Sequence, residues 1–277
     1  MSTDLYQDFR QAVDRPEDQI DLGRAALTMV RCDYPDLNVD AYLAQIDQMA
    51  VAAKERSGEC ASKYETIAAL NYVLFQELGF RGNRDHYYDP KNSFLNEVID
   101  RKLGIPISLS VLYIEIARRL GLSLSGVGFP GHFLVKLAGA EPDIVIDPFH
   151  GGEIRSHESL GDMLYGLYAG QMFLRSEFLE AVTKKQLLRR ILNNLKVIYW
   201  KEKNLTKALS VLERLLILDP ASADDMRDRG LIYLKLECFS QARADLEGYI
   251  GLKPDAEDSS EVQEQLVNLT KQLTRIH

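Results

Sequence analysis

Apolar residues recur at three- and four-residue spacing through the first 80 positions of the chain, which is the period of an amphipathic helix. Gly58 and Gly79 follow two of these segments and mark their ends, because glycine readily adopts the backbone conformation that terminates a helix. The pattern therefore predicts helices over residues 18–30, 39–55 and 64–78.

A turn-rich loop is predicted over residues 80–96, before the pattern becomes helical again. Asn92 or Ser93 is a candidate N-cap for a short helix after this loop. Pro106 fits the first turn of the next helix, where its missing N–H is no loss, and Gly121 ends that helix.

Beyond Gly121 the apolar period becomes that of short strands separated by Pro and Gly turns. The predicted strands cover residues 124–129, 133–137 and 144–146. Residues 156–180 return to helix and loop. Helices followed by a small antiparallel sheet define an α+β class, and we assign residues 1–180 to this domain.

The remaining residues, 181–277, form an all-α repeat region. The following pairs share a period of 34 residues: Tyr199 and Tyr233, Ala208 and Ala242, Leu212 and Leu246, Pro220 and Pro254. This period, with Ala and Pro at these positions, resembles two tetratricopeptide repeats followed by a closing helix over 261–276. Lys196 departs from the pattern, since the second repeat has the small residue Gly230 at the equivalent position.

Composition excludes several classes of function. The chain has 277 residues and a net charge of −8, so it has no general attraction to nucleic acid or to an anionic membrane. No apolar run approaches the length of a membrane span, and the first residues do not resemble a signal peptide. The three cysteines are Cys32, Cys60 and Cys238, and they favour a reducing cytoplasm without disulfides.

The whole layout resembles the SirB type of bacterial protein, in which a transglutaminase-like domain precedes tetratricopeptide repeats. Four stretches carry this resemblance: Asn92-Ser-Phe-Leu-Asn-Glu-Val, Gly104-Ile-Pro-Ile-Ser-Leu-Ser-Val-Leu-Tyr, Gly128-Phe-Pro-Gly-His-Phe-Leu-Val and Ile146-Asp-Pro-Phe-His-Gly-Gly. The resemblance implies a papain-like or transglutaminase-like core and a regulatory role.

Enzymes of this type activate a cysteine at a helix start with a strand histidine and an aspartate. Their core helix begins with Gly-x-Cys and carries Arg and Gly near its end, which Arg118 and Gly121 match. In that register His132 and Asp147 match the other two catalytic positions, but Pro106 falls on the cysteine. The resemblance therefore implies a degenerate site without its nucleophile, and we expect no catalytic residues.

The alternative is a serine-dependent hydrolase or acyltransferase that uses Ser108 with His132 and Asp147. Ser108 lies two residues beyond the vacant position, about 200° around a helix, and would point away from the place of the missing thiol. It is more simply explained as a small buried helix residue. His132 and Asp147 could form a catalytic pair, line a binding cleft, or only brace the sheet.

A binding cleft is predicted around the His132–Asp147 pair. Aromatic residues among polar groups in the 80–96 loop suit a recognition surface, and Gly151-Gly152 permits close backbone approach next to His150. The predicted cleft residues are His86, Tyr88, Asn92, Asn96, Pro106, His132, Asp147 and His150. Because its histidines and acids have no local ligand spacing, we expect no metal and no cofactor.

In the repeats, the groove-facing positions form a rather apolar surface, which could bind a hydrophobic peptide or dock on the protein itself. The predicted groove residues are Asn193, Val197, Trp200, Arg227, Leu231 and Leu234. We therefore predict a non-catalytic regulatory or protein-interaction protein whose partner is a protein or peptide, not nucleic acid or membrane. The sequence does not specify the oligomeric state.

Overall fold

The computed structural model of the protein describes residues 5–139 and 143–276, with side chains described as far as residue 270. It divides into two compact units, residues 1–191 and 192–277. The first unit places helices before a small antiparallel sheet, and the second consists of helices, so the predicted fold class is confirmed. The division between the units falls inside the continuous helix Lys184–Lys201. The domain boundary between residues 180 and 181 that the sequence suggests stays a prediction.

Several helices of the first unit begin at residues whose side chains cap them. Asn38 accepts a hydrogen bond from the N–H of Ala41, and Ser62 forms a reciprocal capping box with Glu65. The helices are α1 (Gln7–Val13), α2 (Leu22–Met29), α3 (Val39–Ser57), α4 (Lys63–Asn71), α5 (Leu95–Arg101), α6 (Pro106–Arg119), α7 (His157–Tyr168) and α8 (Lys184–Lys201), which crosses into the second unit.

Three helix boundaries differ from the sequence prediction. Helix α2 starts later than predicted because Asp21 caps it. The helix predicted over 64–78 changes to a π-helix at Tyr72–Glu77. Neither Asn92 nor Ser93 caps α5: both lie in a 3-10 turn, Pro90–Ser93, which Asp89 caps.

The sheet has five antiparallel strands in the order β6-β5-β4-β3-β7. The strands are β3 (Leu124–Val127), β4 (Leu134–Leu137), β5 (Ile144–Asp147), β6 (Glu153–Arg155) and β7 (Ala181–Val182), and a separate parallel pair joins β1 (Arg81–Gly82) to β2 (Leu103–Gly104). The three predicted strands are present. Val135 pairs with Ile146, which brings the start of β4 next to the end of β5.

Helix α6 is the centre of the first unit. Every residue from Pro106 to Ala117 is buried, as expected for a helix that is apolar on all sides. It packs against α2, α3, β3, β4 and the Pro148–His150 turn. Its one buried acid, Glu115, accepts hydrogen bonds from Arg118 and Arg119 at 3.0 and 2.7 Å.

The second unit continues α8 with paired helices of the predicted repeat period. They are α9 (Leu205–Leu218), α10 (Ala223–Lys235), α11 (Phe239–Leu252) and α12 (Ser259–Ile276). Ala208 and Ala242 are fully buried, which explains the small residue at both repeat positions. Lys196 fits its unusual position because its ammonium group lies 3.0 Å from both Asp225 and Asp228. In the described part of the chain, no helix combines the length and apolar character that crossing a membrane requires.

Candidate functional site

Asp147, at the end of β5, is the centre of a buried polar cluster. Its side chain has no exposed surface. His132 Nε2 lies 3.0 Å from Oδ1, and His150 Nδ1 lies 2.7 Å from Oδ2. The Arg155 guanidinium also donates to Oδ2, at 2.9 and 3.2 Å. A single carboxylate therefore holds two imidazoles and a guanidinium.

The charge of Asp147 is stabilised by these neighbours. Burial by itself would raise the pKa of the carboxyl group, because desolvation disfavours the charged form. Hydrogen bonds from His132 and His150, with the charge of both rings when protonated, outweigh burial and hold the pKa well below its ordinary value. Asp147 is therefore ionised throughout the physiological range.

His132 is positioned by backbone contacts on both sides. Its own N–H donates to the carbonyl oxygen of Phe129 at 3.0 Å, and Gly131 before it has a φ of +69°. Arg190, from α8, donates to the carbonyl oxygen of His132 at 2.7 Å. The ring is thereby fixed next to Asp147, with its side chain 9% exposed.

His150 is held by the turn that follows β5. Pro148–His150 is a 3-10 turn, and the His150 N–H donates to Asp147 Oδ1 at 3.3 Å. The His150 side chain is 30% exposed, so the cluster reaches solvent through this ring. The sequence placed His150 in the predicted cleft, and the structure brings it together with His132 and Asp147.

Arg155 and Arg190 were missed from the sequence. Strand β6 pairs Glu153 with Asp147, and Arg155 lies two residues further on the same face of the strand. The Gly151-Gly152 turn, followed by alternating polar and apolar residues, was a usable sequence signal for this hairpin. Arg190 had no such signal, because it reaches His132 from a helix 58 positions later in the chain.

Helix α6 begins at the residue that the sequence register aligns with the cysteine of transglutaminase-like enzymes. Pro106 is the first residue of the helix and is buried. The Ser108 hydroxyl donates to the carbonyl oxygen of Asn92 at 2.5 Å and accepts the Ile105 N–H at 3.1 Å. Ser108 is 1% exposed, and within the described chain none of its hydrogen bonds goes to His132. This geometry argues against Ser108 as the nucleophile.

Asn92 and Asn96 need a correction as cleft residues, because both are interior. Asn92 has no exposed surface. It accepts from Asn83 Nδ2 at 2.9 Å and donates to the carbonyl oxygens of His86 and Tyr87 at 2.7 and 3.2 Å. Asn96 is 2% exposed. Asn92 therefore braces the loop from within, where a ligand from solvent would not reach it.

An aromatic cluster connects this braced loop to the two histidines. The Phe149 ring lies 5.8 Å from the His132 ring, 5.3 Å from the His150 ring and 6.4 Å from the Tyr87 ring, measured between centroids. Tyr88 stands against Tyr87 at 5.4 Å and is 65% exposed. His86 is exposed and takes part here through its backbone.

The predicted groove residues of the second unit fall into two groups. Val197 and Trp200 are 47% and 42% exposed, and the Lys235 ammonium lies 5.2 Å from the Trp200 ring. Leu231 and Leu234 are partly buried against a core that contains Leu246. Arg227 is paired with Asp228 and Asp258, and Asn193 is half-buried.

Comparison with known proteins agrees with this fold. Residues 40–193 match the transglutaminase-like superfamily, and residues 195–267 match the tetratricopeptide repeat. The chain thus belongs to the transglutaminase-like superfamily and carries repeats after that domain. A UPF0162 protein of Xylella fastidiosa (strain 9a5c) is 38% identical over 94% of both chains. Within the superfamily, the chain is a member of the UPF0162 family.

Two further relatives have their own names. Protein SirB1 of Salmonella typhimurium is 28% identical over 91% of this chain and 93% of its own length. UPF0162 protein YchA of Escherichia coli (strain K12) is 26% identical over the same shares. No solved structure matches the chain. The predicted resemblance to SirB-type proteins is confirmed.

Proposed function

We propose that this protein is a non-catalytic, regulatory protein-interaction module of the cytoplasm, in which a former acyl-transfer site has become a binding cleft. One observation carries the proposal: Pro106, which the predicted register aligns with the superfamily's cysteine, is the first residue of α6, while His132 and Asp147 are hydrogen bonded. Cys32, Cys60 and Cys238 form no disulfide with one another, which suits a reducing compartment.

Proline at this position removes two parts of the acyl-transfer machinery at once. It supplies no thiol, and it has no backbone N–H to stabilise an oxyanion. Ser108 does not replace the thiol, because its hydroxyl is held by Asn92 and Ile105. The site then keeps a candidate general base, His132, but has no nucleophile for it to activate, which supports a binding role.

The surface beside the pair has features of a protein-binding site. Tyr88 is exposed on a loop whose interior is braced by Asn92. A rigid loop loses little conformational entropy on binding, and tyrosine provides a large contact area with a hydrogen-bonding group. We propose that a peptide segment of a partner protein contacts Tyr88, Phe149 and His150.

The repeat unit supplies a second contact surface. Tetratricopeptide repeats generally mediate protein–protein interaction, and Trp200 with Val197 exposes apolar area on α8. Lys196 and Arg227 are paired with acids of the repeats themselves, so they do not form a free clamp for a peptide carboxylate. An apolar peptide segment therefore suits this surface better than an acidic one.

The test is to identify a partner by cross-linking with the intact chain and then to measure its affinity for purified variants. Tyr88→Ala and Trp200→Ala should each weaken binding by at least about tenfold, as expected for central aromatic contacts. Tyr165→Ala and Leu252→Ala are matched controls, because these residues are 67% and 52% exposed in the same two units. If both test variants bind as tightly as the controls, the two surfaces are not the binding sites.

The serine-enzyme alternative has a direct test of its own. A fluorophosphonate probe should leave the wild-type chain unlabelled, since the buried Ser108 hydroxyl donates its hydrogen bond to the Asn92 carbonyl oxygen. Labelling that disappears in Ser108→Ala would instead establish a serine nucleophile.

A further inference from the structure

The chain folds three metal-ligating side chains into one cluster although they are not spaced as ligands along the sequence. His132, Asp147 and His150 each offer a ligand atom, and these atoms all lie within 4.8 Å of one another. His132 comes from the loop before β4 and Asp147 from the end of β5. Only the antiparallel pairing of these strands brings them together, which explains why sequence spacing predicted no site.

The donor set has the chemistry of a transition-metal site. Two imidazoles and one carboxylate are a common three-ligand set for Zn²⁺, and they leave a fourth position for water or a ligand. Around a tetrahedral zinc ion, neighbouring donor atoms are about 3.3 Å apart, given bond lengths of about 2.0–2.1 Å. The imidazole nitrogens lie 3.0 and 2.7 Å from the Asp147 oxygens, so small side-chain movements would admit an ion.

A metal site also needs ligands that are held in a fixed orientation, and the residues around the cluster provide this. Arg155 donates to Asp147 Oδ2, and Arg190 donates to the carbonyl oxygen of His132. Such outer contacts hold the ligands of natural metal sites in place. Since the Arg155 charge offsets that of Asp147, affinity for an ion depends strongly on both imidazoles. The partly exposed His150 ring gives access from solvent.

We propose that His132, Asp147 and His150 bind one divalent transition-metal ion, with Zn²⁺ as the best fit. On binding, each imidazole releases to solvent any proton on its ligating nitrogen, and the nitrogen lone pair then coordinates the ion. Arg155 keeps its contact with the outer carboxylate oxygen. This proposal is independent of the proposed partner-binding function, because it concerns the affinity of the chain alone for an ion.

The experiment is a titration of tag-free, chelator-treated protein with Zn²⁺ by calorimetry and with Co²⁺ by visible absorption. We expect one ion per chain, and an intense Co²⁺ spectrum typical of low coordination number. His150→Ala and His132→Ala should each lower affinity by more than about 100-fold, because loss of an outer contact alone costs about 10–100-fold. His157→Ala is the matched control, since this residue is exposed and outside the cluster.

His150→Ala is the more decisive variant because its ring is the more exposed, and circular dichroism would verify that each variant is folded. The proposal is overturned if the wild-type chain binds no ion at micromolar concentrations. It is equally overturned if the cluster variants bind as the wild type does, or if His157→Ala loses as much affinity as they do, since surface histidines would then account for the binding.

Discussion

Asn71 and Gly152 are held together by a contact that only glycine permits. Asn71 Nδ2 donates to the Gly152 carbonyl oxygen at 2.8 Å, and the buried Tyr113 hydroxyl donates to Asn71 Oδ1 at 2.8 Å. A Cβ at Gly152 would overlap the Asn71 side chain, and the φ of Gly152 is +78°. This contact ties the turn after Asp147 to α4, and so helps to position His150.

Gly152→Ala should therefore destabilise the first unit more than Gly151→Ala. Gly151 has a φ of +72° but nothing within 4 Å of an added Cβ, so its substitution incurs backbone strain alone, about 1 kcal/mol. Gly152→Ala adds a steric conflict, for a total of about 2–4 kcal/mol. Urea unfolding followed by circular dichroism compares the two. Equal losses of stability in the two variants would mean that the Asn71 side chain moves away from the added methyl group at no energetic cost.

Asp147→Asn should weaken folding at neutral pH by about 2–4 kcal/mol, because it removes the buried carboxylate that Arg155 contacts and leaves this guanidinium with only the exposed Glu153 as its acidic partner. The pKa of Asp147 is lowered in the folded state. Its contribution is thus fully present above the unfolded pKa of about 4 and is lost as the pH falls through the folded pKa. The stability difference between wild type and variant should be largest above about pH 5 and shrink below about pH 4. A difference that stays constant down to pH 3 would contradict the lowered pKa.

Pro106→Cys tests whether α6 begins where the superfamily has its nucleophile. In a chain with Cys32, Cys60 and Cys238 replaced by serine, the new thiol should titrate below the ordinary value of about 8.5, because a protonated His132 would stabilise the thiolate. The measurement is the pH dependence of its alkylation rate. His132→Ala in the same chain should return the pKa to its ordinary range. An unperturbed thiol in both chains would place Pro106 away from His132.

Lys196→Met should destabilise the repeat unit by about 1–3 kcal/mol, because it removes the ammonium group that lies 3.0 Å from Asp225, a carboxylate that is 1% exposed. Lys253→Met is the matched control: this lysine pairs with Asp224 at an exposed position, and we expect no measurable loss. Thermal unfolding of both variants gives the comparison. A Lys196→Met chain as stable as the control would show that Asp225 is satisfied in another way.

The helices, the repeats and the fold class could be predicted from the sequence because they depend on the local pattern of apolar and polar residues. Residues 39–55 were predicted as a helix, and α3 occupies this segment between Asn38 and Gly58. The predicted 34-residue repeat agrees with the structure for the same reason, since Ala208 and Ala242, at equivalent repeat positions, are both buried. Errors occurred where side chains act locally in unexpected ways, as when Asp89 rather than Asn92 capped the turn before α5.

The sequence by itself singled out His132 and Asp147 as candidate site residues, through their order after a helix predicted to begin at Pro106. Only the tertiary structure decided that His150 and Arg155 share the same carboxylate, that Asn92 is interior, and that the Ser108 hydroxyl is taken by the backbone. The physical reason is that these contacts arise from strand pairing and from burial around α6. The apolar period of the sequence does not encode such contacts: Ser108 meets Asn92 across 16 positions, and His150 and Arg155 meet Asp147 only because the turn after β5 and strand β6 fold back on it.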